Sequence, residues 1–133
     1  MKLQSKYFTL EELIHTNTGL LNVPNKMQFD NLQKLVTNVL DPLRELYGKP
    51  INVNSGFRSI AVNKKVKGAI NSDHLFGFAA DLKCDDNYQL YNLILENFEF
   101  RQLISEKGSI IRPQWIHVSY NENDNKKQKL RIS

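Results

Sequence analysis

The chain has 133 residues, 41% of them apolar and 24% charged, with 18 basic against 14 acidic side chains and a net charge of +4. This is the mix of an ordinary globular protein, and the length suits a single domain, residues 1–133, around one core. No apolar run approaches the ~20 residues that span a bilayer, and the lone cysteine, Cys84, excludes an intrachain disulfide.

Met1 to Lys6 contains no apolar stretch of the secretory type, so synthesis in the cytoplasm without a signal peptide is expected. Thr9-Leu10-Glu11-Glu12 reads as a capping box that opens a short helix to about Thr16. Residues 17–25, rich in Asn, Thr and Gly and closing near Pro24, read as a loop. From about Asn25 to Tyr47, one apolar stripe recurs at helical spacing: Leu32, Leu35, Val36, Val39, Leu40, Leu43, Leu46 and Tyr47. Gly48 stops it, and Pro42 predicts a kink or break near Val39 to Asp41.

Ile51 to Val53 is a short strand signal that runs into the loop Asn54-Ser55-Gly56-Phe57-Arg58-Ser59. Ala61 to Val66 suits one or two helical turns, and Phe78 to Cys84 a strand. Asp85 and Asp86 can cap a helix from about Asn87 to Asn97, with Leu90, Tyr91, Ile94 and Leu95 inward. Strand signals at Arg101–Glu106 and Trp115–Tyr120 predict a hairpin with a long loop. The sum is an α+β fold: a small antiparallel sheet of about four strands with two or three helices. The basic tail (Lys126, Lys127, Lys129, Arg131) reads as a solvated end; without interleaved aromatics it does not argue for nucleic acid.

Of three histidines, His15 has no partner in sequence, whereas His74 precedes Asp81 by seven residues and His117 sits in a strand beside Trp115. An odd separation along one straight strand would send His74 and Asp81 to opposite faces. Gly77 permits a turn between them, so His74 can fold back towards Asp81. Two His and one Asp are suitable zinc ligands, and three protein ligands leave a position for water, the pattern of a catalytic site. Such a zinc lowers the pKa of its water and polarises a carbonyl. Taken singly, each of these signals is weak. Cys84 reads as a buried thiol, the usual state of a free cysteine.

Together the motifs Ser72-x-His74-x-x-Gly77-x-Ala79-x-Asp81 and Trp115-x-His117 resemble the signature of the zinc D-Ala-D-Ala carboxypeptidase family, which includes phage endolysins. Phe8 to Leu13, Asn38 to Arg44 and Val53 to Ser59 resemble that family's first helix, long helix and Ser-Gly-Tyr-Arg-Ser loop, with Phe57 in place of Tyr. The resemblance implies a hedgehog/DD-peptidase-like domain with Zn2+ held by His74, Asp81 and His117. It implies that Arg58 pairs with substrate or steadies developing charge, a task suited to a planar guanidinium. Ser72 is then either an outer partner of a zinc ligand or a turn cap.

In relatives a carboxylate three residues before the last histidine acts as base; here that residue is Gln114, which cannot take up a proton. If the hairpin pairs Ile104 with His117, Glu106 shares the His117 face, whereas a register shifted by one residue puts it on the opposite face. The segment Leu103-Ile104-Ser105-Glu106 resembles the Leu-Ile-x-Glu of compact relatives, and that resemblance implies Glu106 as the base, with Asp73, or no protein base at all, as the fallback. The expected function is hydrolysis of peptidoglycan peptides by a monomer delivered to or released onto the wall, with no nucleic acid and no membrane insertion. The rival is a catalytically weak zinc protein of wall-binding or virion type, favoured by Gln114.

Overall fold

The computed structural model describes residues 1–133 and is α+β. Helix α1, Leu10–Ile14, follows the expected cap: Thr9 Oγ1 accepts from the Glu12 amide, and the Glu12 carboxylate accepts from the Thr9 amide. A second capping box, Asn25 with Gln28, opens α2, Lys26–Leu35. At Val36–Leu40 the helix widens into a π turn before α3, Asp41–Tyr47. Pro42 explains the widening: it has no N–H to donate and its ring crowds the carbonyl of Asn38. The Asp41 amide reaches back to the Val36 carbonyl instead. Gly48, with φ 78°, ends the helix in the left-handed conformation.

The wider turn also sets back the phase of everything after it. Leu43 and Tyr47 stay buried, but Leu46, which the unbroken stripe places inward, is 50% exposed.

Helix α4 spans Ile60–Lys65 and α5 spans Asn87–Asn97 behind an Asp86 cap. Five strands, β1 (Asn52–Ser55), β2 (Ala79–Lys83), β3 (Gln102–Glu106), β4 (Trp115–Ser119) and β5 (Gln128–Ile132), form one sheet in the order β1-β2-β4-β3-β5. The expected four strands are there, antiparallel to their neighbours. The fifth corrects the reading of the tail: Gln128–Ile132 pairs parallel to β3 at the edge, so the tail is not merely a solvated end. Five α-helices, several of them short, exceed the expected two or three.

Alternation along the strands separates structure from chemistry. Ala80, Leu82, Leu103, Ile116 and Val118 join Leu32, Leu35, Val36, Val39, Leu40, Leu43, Leu90 and Ile94 in the core between sheet and helices. Their strand neighbours Asp81, His117, Ile104 and Glu106 point to the other face. No helix is long and apolar enough to cross a membrane.

Candidate metal centre

Asp81 and His117 are directly opposed in the β2–β4 ladder, so two adjacent strands present them side by side. His74 arrives by a different route. Ser72 caps a 3-10 turn over Asp73–Phe76, accepting from the His74 amide, and Gly77 closes it at φ 79°. A side chain at Gly77 would strike the Gln28 carbonyl, so glycine is required there for space as well as for φ. The chain then reverses into β2, which brings His74 Nε2 to 3.2 Å from Asp81 Oδ1.

His117 Nδ1 lies 3.0 Å from the same oxygen. One donor atom from each of the three residues falls within 4.8 Å of the others, and all three residues are buried.

The imidazole of His74 is fixed from behind, since its Nδ1 lies 2.7 Å from the Gly56 carbonyl. With that nitrogen donating, a neutral ring turns the lone pair of Nε2 towards a carboxylate oxygen, acceptor against acceptor. His117 Nε2 is buried with no partner, so one nitrogen of that ring stays unsatisfied whichever carries the proton. A divalent cation among the three donors removes the first conflict. A His-Asp-His set with an open side is a donor set suited to zinc. Burial alone would push the Asp81 carboxyl up, but the charge and hydrogen bonds of His74 and His117 outweigh it and hold the group below the usual carboxylate range.

Arg58 belongs to the same cluster. Its Nη2 donates to Asp81 Oδ2 at 3.3 Å, its Nε to Ser55 Oγ at 2.9 Å and its Nη1 to Asn63 Oδ1 at 3.2 Å. These bonds orient the carboxylate that faces the histidines, a contact the sequence reading did not include. The loop before it is pinned at Gly56, where any side chain would strike the Leu13 carbonyl, and by Asn22, which bonds to both Phe57 and Ser59.

The cluster opens into a cleft of about 420 Å³ whose lining includes Arg58, Ser72, the three metal-binding candidates and Glu106. A larger hollow of about 600 Å³ between the start of α5 and residues 111–113 holds no histidine.

A family model described as peptidase M15 matches residues 6–119. The chain belongs to the peptidase M15 family. The zinc D-Ala-D-Ala carboxypeptidase of Streptomyces albus G is 54% identical over 44 residues, which are 32% of this chain and 17% of that enzyme. The chain thus matches a small part of that relative's length.

In this member of the M15 family the β3–β4 register pairs Ile104 with His117 and Glu106 with Trp115, the arrangement that puts Glu106 on the His117 face. Gln114 is exposed, donates its amide to the Glu106 carbonyl, and is absent from the cleft lining. Asp73, the fallback base, is held by Arg101, whose Nε lies 3.2 Å from both carboxylate oxygens. Ser72 lines the cleft but acts on the His74 backbone; the outer partner of the ring is the Gly56 carbonyl. His15 is exposed and bonds to Asn17, and Cys84 is half-buried, its thiol pushed up by burial.

Sequence reasoning missed Arg101, Asn63 and the Gly56 carbonyl. Trp115 was within reach, because Trp-x-His in a strand puts both side chains on one face.

Proposed function

We propose that this chain is a zinc peptidase that hydrolyses peptide bonds of bacterial peptidoglycan. The observation that supports it best is the buried convergence of His74, Asp81 and His117 at the floor of a cleft that Glu106 and Arg58 also line. His74, Asp81 and His117 would hold the metal. A zinc bound there supplies a water of lowered pKa and polarises the scissile carbonyl.

The remaining work falls to the protein. Glu106 sits diagonal to His117 across the hairpin, ~7–8 Å away on the same face and within reach of a long side chain. Its carboxylate takes the proton from the attacking water and returns it to the leaving nitrogen as the C–N bond breaks. Arg58 aims Asp81 through its Nη2 bond, and its guanidinium edge on the cleft would meet a substrate oxygen. Ser72, which lines the cleft, would bond to the peptide through its hydroxyl. The relative's substrate, D-Ala-D-Ala, makes stem or cross-bridge peptides the first class to test. We read the protein as a monomer that meets the wall after release or delivery.

Mass spectrometry of purified muropeptides before and after incubation tests the proposal. Wild type should release a defined peptide or amino acid, and Glu106→Gln should not. Muropeptides left intact by zinc-loaded wild type would overturn it.

A further inference from the structure

The family match ends at Ser119, so β5 lies outside it, yet β5 adds to the wall of the cleft. The strand is fixed at both ends: the Gln128 amide donates to the Arg101 carbonyl and the Lys107 amide to the Ile132 carbonyl. Register opposes Gln128, Leu130 and Ile132 to Gln102, Ile104 and Glu106, the residues of β3 that share the His117 face. A bond of 2.8 Å from Gln102 Nε2 to Gln128 Oε1 shows that these side chains do lie on one surface. Ile132 lines the cleft together with the three metal-binding candidates. Leu130 and Ile132 are 40% and 43% exposed, an apolar pair left open to solvent in a strand whose alternate residues are Lys129 and Arg131.

We propose that Leu130 and Ile132 of β5 form a substrate subsite, a shelf continuous with the metal cleft that binds the peptide flanking the scissile bond. It rests on the peptidase reading above, because the occupant is that enzyme's own substrate. Two features suit an extended peptide. The aliphatic pair offers contact to small apolar side chains such as the methyl of alanine. The Gln102–Gln128 bond leaves the Gln102 carboxamide oxygen to accept and the Gln128 NH2 group to donate, the complement of a peptide N–H and C=O. Lys129 and Arg131 alternate to the opposite face, so charge on the tail is not the contact.

Trp115, the chain's one tryptophan, also lines the cleft and provides a fluorescence signal that does not depend on turnover. Titration of the full-length, zinc-loaded protein with purified muropeptides should show saturable binding. Leu130→Ser and Ile132→Ser should each raise Kd at least fivefold, with zinc content and melting temperature held, since both side chains are partly exposed at a sheet edge. Lys129→Ser and Arg131→Ser should leave Kd within twofold. Equal Kd in wild type and the two apolar variants, loss of binding only in the two charge variants, or no saturable binding at all would each overturn the shelf. Binding that follows the expected pattern without any hydrolysis would instead sink the peptidase reading and keep the shelf.

Discussion

Glu106 and Gln114 stand eight positions apart in the chain, and the hairpin gives them opposite fates. Glu106 faces the His117 side of the sheet and lines the cleft; Gln114 ends the connecting loop outside it. A positioned base is worth about 10²–10⁴-fold in rate, so Glu106→Gln should lose on the order of 10²–10⁴ in kcat while binding zinc normally. Gln114→Ala should retain near-wild-type turnover, and a collapse there would move the base elsewhere. Arg58 permits a second test. Arg58→Lys keeps a charge near Asp81 but gives up the planar fork that also holds Ser55 and Asn63. Loss of such an outer partner costs roughly 10–100-fold in metal affinity, and competition with a chelator should read that loss directly. Unchanged zinc affinity with a reduced kcat would mean that Arg58 acts on substrate alone. The triad was legible in the sequence because histidines are few and the turn glycine falls between His74 and Asp81. The outer contacts were not: Gly56 contributes only a backbone carbonyl acceptor, and Arg101 meets Asp73 from the bend before β3, 28 residues on.

At the scale of elements, the helices show which signals survive folding. The Thr9 box and the Gly48 stop are local, so they were readable as written. Asn25, where the apolar stripe is expected to begin, opens a second box with Gln28 that the sequence reading did not name. Loss of such a cap costs about 0.5–2 kcal/mol. Asn25→Ala should therefore lower the midpoint of urea unfolding with no change in slope; a changed slope would mean that the substitution alters the denatured ensemble instead. Pro42 announced a disturbance of the helix, but not that it would take the form of a π turn and rotate Leu46 outward. The fifth strand was hidden for a related reason. Its partner β3 is distant in sequence and parallel, and its lysine and arginine mask the alternation of Leu130 and Ile132.

For the molecule as a whole, the metal centre ties together pieces that the core alone does not. His74 comes from a turn held against Gly56, Asp81 and His117 from adjacent strands, and Arg58 from the loop after β1, so one site joins four segments. A ligand bound only by the folded state stabilises it, by about 2.7 kcal/mol at a free concentration a hundredfold above its dissociation constant. For a chain of this size that corresponds to a rise in Tm on the order of 10 °C. Chelation should therefore lower Tm by a comparable amount, and re-addition of zinc should restore it. Protons compete for the same donors, so the advantage of zinc should shrink on acidification. Asp81 contributes separately. Its carboxyl is depressed in the folded state, so its contribution to stability is complete well above the ordinary value of 3.8 and fades as pH falls below it. In the chelated protein the Asp81 contribution should thus be intact down to about pH 5 and be lost below about pH 4. The zinc-loaded protein should begin to fall earlier, and the two curves should merge in acid. A Tm indifferent to chelator at neutral pH would show that His74, Asp81 and His117 hold no metal that matters to the fold.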